Sequence, residues 1–164
     1  MRKYLLHVLI ISFVFILAPT AHVALHAGEL EDAKEEVRKN PDDAEAHLNL
    51  GVAYIKSGKS YKAIDAFKQA IWIRPAHARA HYNLAVSYYI VGSYKRAIKH
   101  YKKVIVFEDD DSTLLTKAHY NLGLIYIFRS KDRWAAEEQA SELRDLGEWK
   151  LATRLSGMIS TELD

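Results

Sequence analysis

Apolar and small residues along this chain recur at three- and four-residue intervals, the spacing of one face of an α-helix. His47, Leu50, Gly51 and Tyr54 form one such stripe, and Ala63, Phe67 and Ala70 form the next. Gly58 punctuates the chain between the two, and Pro75 closes the second. The pattern predicts helices near 30–39, 44–57, 60–73, 77–91, 94–107, 112–129, 132–146 and 148–160. The first 27 residues depart from it. There Arg2 and Lys3 precede an apolar run, Tyr4–Leu17, broken only by His7 and Ser12.

The helical stripes repeat. "AHLNL" stands at Ala46–Leu50, and "AHYNL" at Ala80–Leu84 and again at Ala118–Leu122. Asn49 to Asn83, Tyr54 to Tyr88, Ala63 to Ala97 and Phe67 to Tyr101 are each 34 residues apart. The third copy follows the second at 38, from Asn83 to Asn121 and from Tyr88 to Tyr126. The extra residues fall in "EDDDSTLL" after Phe107, where an insertion lengthens a connection without breaking a helix. Each unit is therefore a pair of helices, and one pair stacks on the next. Gly51, Ala85 and Gly123 hold one position of the three copies. A small residue there lets the partner helix approach closely. Glycine costs about 1 kcal/mol against alanine inside a helix, so its use points to a packing need.

The Leu-Gly-x-x-Tyr, Ala, aromatic, Pro pattern resembles the tetratricopeptide repeat, over about residues 44–146. The resemblance implies an all-α fold, a right-handed superhelical stack of antiparallel helix pairs. Residues 28–43 would form an amino-terminal half-repeat helix, 44–77, 78–111 and 115–147 the repeats, and 148–164 a capping helix. The cap is expected because a terminal repeat would otherwise expose apolar surface. Trp149, Ala152, Leu155 and Ile159 give it one apolar face. The chain departs from the family pattern in places. His47, His81 and His119 stand where tryptophan is common, and Asp109 replaces a closing proline. The third copy carries one extra residue before its second helix. Ala140 then falls where a large aromatic is usual, so that helix is expected to pack on the segment that follows.

By the same resemblance the first helix of each pair lines a concave groove. Leu48, Tyr82 and Tyr120 would face it, beside Asn49, Asn83 and Asn121. Val52, Val86 and Leu124 come one turn on, then Ile55, Tyr89 and Ile127. Asparagine is a poor helix-interior residue unless its amide does something, and that amide both donates and accepts. Three in a row are expected to grip the backbone of an extended peptide, while the flanking tyrosines and aliphatics take its apolar side chains. Arg79 and Lys117 would favour an acidic residue in the ligand. A carboxylate clamp, as in chaperone-docking members of the family, is not expected. Asn83 and Lys117 match two of its places, but Leu48, Val52 and Asn121 occupy others.

Composition narrows the chemistry. The chain has 164 residues and no cysteine, which excludes disulfides and thiolate sites. Basic start, short apolar run and the looser "APTAHVALHA" read as a signal peptide or an uncleaved amino-terminal membrane anchor over residues 1–27. Export to a bacterial periplasm, or anchoring at the inner membrane facing it, follows as an expectation. Without Arg2 and Lys3 the chain has 21 basic and 21 acidic residues, so no broad nucleic-acid surface is expected. No nucleophile elbow, phosphate loop or zinc-protease motif is present, and neither enzymatic activity nor a cofactor is expected. His77 and His81 are four apart, but no cysteine or carboxylate completes a zinc set around them. Lys95, Arg96, Lys99, Lys102 and Lys103 crowd one outer helix. The expected function is a non-enzymatic adaptor of the cell envelope, holding a peptide segment of another protein for assembly or escort. The alternatives are a membrane-anchored scaffold that associates with itself, and an accessory factor that handles metal or haem through histidines.

Overall fold

The computed structural model describes residues 28–107 and 112–163, and these hold helices and turns but no strand. The export or anchor segment, residues 1–27, and the acidic connection containing Asp109 lie outside the described residues. After α1 (28–39) come α2 (Ala44–Lys56), α3 (Ser60–Ile73), α4 (Ala78–Ile90), α5 (Tyr94–Phe107) and α6 (Ser112–Ile125). A π-helical turn, Tyr126–Ser130, extends α6, and α7 (Arg133–Asp145) and α8 (Trp149–Leu163) complete the chain. None of these helices is long and apolar enough to cross a membrane.

Local chemistry sets the ends of the helices. Asp43 caps α2, its carboxylate accepting from Glu45 N at 2.9 Å, and Asp132 caps α7 through Ala135 N at 3.0 Å. Gly58, Gly92 and Gly147 close α2, α4 and α7 at φ of 70°, 76° and 81°. That left-handed backbone lets Lys59, Ser93 and Glu148 donate back to the carbonyls of Tyr54, Tyr88 and Leu143, each at 2.8 Å. Arg74 is extended before Pro75, as the proline ring requires, and α3 stops there. His47 Nε2–H donates to the Pro41 carbonyl at 2.8 Å, and His81 Nε2–H to the Pro75 carbonyl at 3.0 Å. The histidines thus satisfy the acceptor at the bend that leads into their own helix.

Helix pairs stack in chain order, α2 with α3, α4 with α5, and α6 with α7. The first helices also meet one another directly, α2 on α4 and α4 on α6. They therefore form the inner, more tightly curved side, and the second helices the outer one. Gly51 sits under Phe67 of α3, where a Cβ would overlap the ring. In the third pair the neighbour of Gly123 is Leu155 of α8, not a residue of α7. Ala140, at the place of Phe67 and Tyr101, is too short to fill the space. Leu155 fills it and is wholly buried.

The extra residue of the third copy is taken up by the π-helical turn and by Lys131, which ends it in the left-handed region at φ 54°. The wide turn lets α7 start in register with α3 and α5. It also rotates the residues within it. Ile127, expected in the groove beside Ile55 and Tyr89, is turned inward and wholly buried, and Phe128 is exposed instead.

Leu155→Ala should cost about 2–5 kcal/mol, as for other buried leucines. Gly123→Ala should destabilise the native chain but stabilise the Leu155→Ala variant by up to about 1 kcal/mol, because the new methyl then has room. Chemical denaturation of the four proteins of this cycle measures both signs.

Candidate functional site

The inner face is built by α2, α4 and α6 at the positions the repeat phase assigns. Val52, Val86 and Leu124 are half-buried there, as are Ile55, Tyr82 and Tyr120, and Tyr89 is more open. Asn49 is exposed and Asn83 half-buried. Among the described residues neither of their side-chain amides has a hydrogen-bond partner. Arg79 is exposed in the first turn of α4, its guanidinium 3.7 Å from the Glu45 carboxylate, and Lys117 is exposed further along α6.

Three sequence expectations change at this face. Leu48 is wholly buried in the core and does not line the groove. Tyr82 and Tyr120 hold the same position with rings long enough to emerge, whereas a leucine ends inside. Ile127 leaves the groove through the π-helical turn. Asn121 keeps its place, but its amide is occupied. Nδ2 donates to the Tyr82 hydroxyl at 3.1 Å and to the Tyr101 hydroxyl at 3.2 Å. Tyr101, not singled out from the sequence, lies under the groove with its ring edge-on to Tyr82 at 5.7 Å. Burial raises both phenols, with Asn121 pulling the other way, so both stay protonated at neutral pH. The signal was the hydroxyl added at the place of Phe67, since a buried tyrosine needs a polar partner.

Residues 44–77 and 78–111 each match the family model of the tetratricopeptide repeat. The chain carries tetratricopeptide repeats. These repeats are protein-binding scaffolds, and α6 with α7 stacks on the two matched repeats as a third pair. The fold is similar to that of crystalline MamA protein, with a TM-score of 0.67 and 21% identity over 85% of this chain and 78% of that one. It is similar also to TTC0263, a thermophilic TPR protein of Thermus thermophilus, with a TM-score of 0.67 and 19% identity over 83% and 74% of the two chains. YrrB, described as a TPR protein with an unusual peptide-binding site, gives 0.54 and 18% over 82% and 76%. Likeness at these identities establishes the fold. No curated protein sequence matches the chain.

The histidines of these tetratricopeptide repeats are engaged by protein groups. Arg74 donates to His77 Nε2 at 2.6 Å and to Glu45 at 2.7 Å, and His77 lies 3.3 Å from the same carboxylate. Burial, with Arg74 beside it, holds His77 below its usual pKa. Among the described residues no three His, Cys, Asp or Glu side chains gather to hold a metal. His119 Nδ1–H donates to Gln139 Oε1 at 3.0 Å. In the second repeat, His81 and His100 meet Nδ1 to Nδ1 at 3.0 Å, and Tyr88 stacks on His100. His81 donates from Nε2 to Pro75, so its Nδ1 accepts and His100 Nδ1–H donates. That arrangement requires the His81 ring to be neutral.

Burial, then His81, Lys99, Lys103 and Lys68, lowers His100 to about 4. Burial lowers His81 too, against the Pro75 hydrogen bond and with Lys103 assisting. A base whose folded pKa is depressed stabilises the fold fully above its unfolded value, near 6.5, and less as pH falls toward the folded one. Stability should therefore decline between pH 6.5 and 4. His100 contributes on the order of 1–2 kcal/mol, discounted for the exposed part of its ring. The slope should flatten in His100→Gln, read by denaturant titration at several pH values; an unchanged slope would assign the decline to other groups.

Proposed function

We propose that this protein is a non-enzymatic adaptor that holds an extended peptide segment of another protein along its inner face. The carrying observation is Asn83, a half-buried side-chain amide in mid-groove with no partner among the described residues. The amide is open to solvent, since no buried side-chain polar atom among the described residues lacks a partner, and a peptide group offers both the donor and the acceptor that would replace its water. Asn49 extends the row toward the first repeat. Asn121 adds only its carbonyl oxygen, since its nitrogen serves Tyr82 and Tyr101. Tyr82, Tyr120, Val52, Val86 and Leu124 supply apolar contact on either side. Lys117 adds positive charge, which suits an acidic residue in the peptide, while the Arg79 guanidinium is shared with the Glu45 carboxylate at 3.7 Å. The peptide-binding site described for YrrB supports the reading by analogy.

The adaptor works in a cell envelope, exported or tethered through residues 1–27, in the assembly or escort of other envelope proteins. The basic start and short apolar run of that segment support this placement.

Peptides selected from a random display library on the full chain provide the probe. Asn83→Ala should weaken a selected peptide roughly five- to tenfold, the worth of one hydrogen bond, while the melting temperature stays as in the native chain. Unchanged affinity in calorimetry would refute the ladder. Deleting residues 1–27 should leave the chain in the cytoplasm, checked by cell fractionation; export of the truncated chain would sink the envelope reading.

A further inference from the structure

The outward stripes of α5 and α7 carry opposite charge. On α5 the exposed positions are Lys95, Arg96, Lys99, Lys102, Lys103 and Val106, and the helix has no acidic residue. None of the five cations makes an ion pair among the described residues. On α7 the buried residues Ala136, Ala140 and Leu143 stand 39 positions after the buried Ala97, Tyr101 and Val104 of α5. That offset fixes which residues share a height on the outer surface. Lys95 corresponds to Trp134, Lys99 to Glu138, Lys103 to Glu142 and Val106 to Asp145. All of these are exposed, Trp134 by 81%. Arg133 lies off the stripe, bound to Glu137 at 2.8 Å. The two helices flank a cleft of about 200 Å³, with Lys102 and Ile105 on one side, Glu138, Gln139 and Glu142 on the other, and His119 at its floor.

We propose that this outer face is a self-association surface, on which two copies meet about a twofold axis parallel to the helices. The twofold lays α5 of each copy on α7 of the other, side by side and in the same direction, so one operation satisfies both stripes. Lys99 then faces Glu138 of the second copy, Lys103 faces Glu142, and Lys95 lies over the ring of Trp134. An axis across the helices would set α5 on α5, like charge on like. A second copy suits the face better than a membrane or a nucleic acid does. Either polyanion would be repelled by the carboxylates of α7, and beyond residue 27 the chain has as many acidic as basic residues. The surface lies on the side away from the groove, so the inference stands apart from the peptide reading.

Sedimentation equilibrium at roughly 100 µM and low salt should give twice the chain mass, falling to the monomer at about 0.5 M salt, where screening shortens to a few ångströms. K99E/K103E and E138K/E142K should each be monomeric, with far-UV circular dichroism unchanged because all four side chains are exposed. An equimolar mixture of the two variants should dimerise, since reversed α5 then meets reversed α7 and native meets native. A native chain that stays monomeric, a mixture that fails to pair, or an open series of larger oligomers overturns the proposal. So does binding to phosphatidylserine vesicles that K99E/K103E abolishes and E138K/E142K strengthens. Peptide affinity of the groove in either variant is a separate reading: its loss would count against the groove proposal, not against this one.

Discussion

At Gly51 the backbone of α2 meets the ring of Phe67 with no space for a methyl group between them. That contact fixes how near the two helices of the first pair can lie, and the other pairs keep the same phase. Ala85 and Tyr101 hold the corresponding places in the second. In the third, Gly123 accepts Leu155 because Ala140 cannot reach. The glycine costs about 1 kcal/mol of helix propensity, while a fully buried phenylalanine or leucine gains about 1.5–3 kcal/mol over an exposed one. Close approach therefore wins, and α8 becomes part of the third repeat rather than a lid laid over it.

Close approach buries polar groups as well as apolar ones, and each has to find a partner. The Pro41 and Pro75 carbonyls find the histidines that begin the next helices. The Tyr101 hydroxyl finds Asn121, which also holds Tyr82. A tryptophan in place of His81 would fill the volume but would lose Nδ1, and with it the acceptor for His100. A phenylalanine in place of Tyr101 would release Asn121. These two polar choices tie α4 to α5, and the second repeat to the third, by directional contacts that aliphatic packing does not provide.

The helices themselves were legible in the chain, because apolar periodicity, glycine after α2 and α4 and proline after α3 all agree on the same boundaries. The role of α8 was legible too, through Ala140: a small residue at a large-residue position leaves a space that something must occupy. The groove was less so. Position alone set Leu48, Tyr82 and Tyr120 on one face, but the leucine is buried where the tyrosines are half-buried, since exposure there depends on side-chain length rather than phase. Ile127 was misplaced because one inserted residue can be absorbed as a loop or as a π-helical turn, and only the second rotates the residues around it. The link from Asn121 to Tyr101 spans α5 and α6, and no local pattern encodes a hydrogen bond between residues 20 apart.

One repeat phase governs both faces of the stack, and this separates their chemistry. The positions that pack the core return at fixed intervals, so the residues left facing inward and outward return with them. Each set is free to change without disturbing the other. Inward, the chain keeps asparagine at all three copies and varies its neighbours. Outward, it keeps nothing: α3 is mixed, the charges of α5 are all basic and those of the α7 outer stripe acidic. Charge segregated this way in a balanced chain produces little long-range field, because opposite stripes a helix apart cancel beyond a Debye length of about 8–10 Å. It acts only at contact, where register matters. The outer face is thus specified by order along the stack, and the inner one by repetition, although a single packing rule positions both.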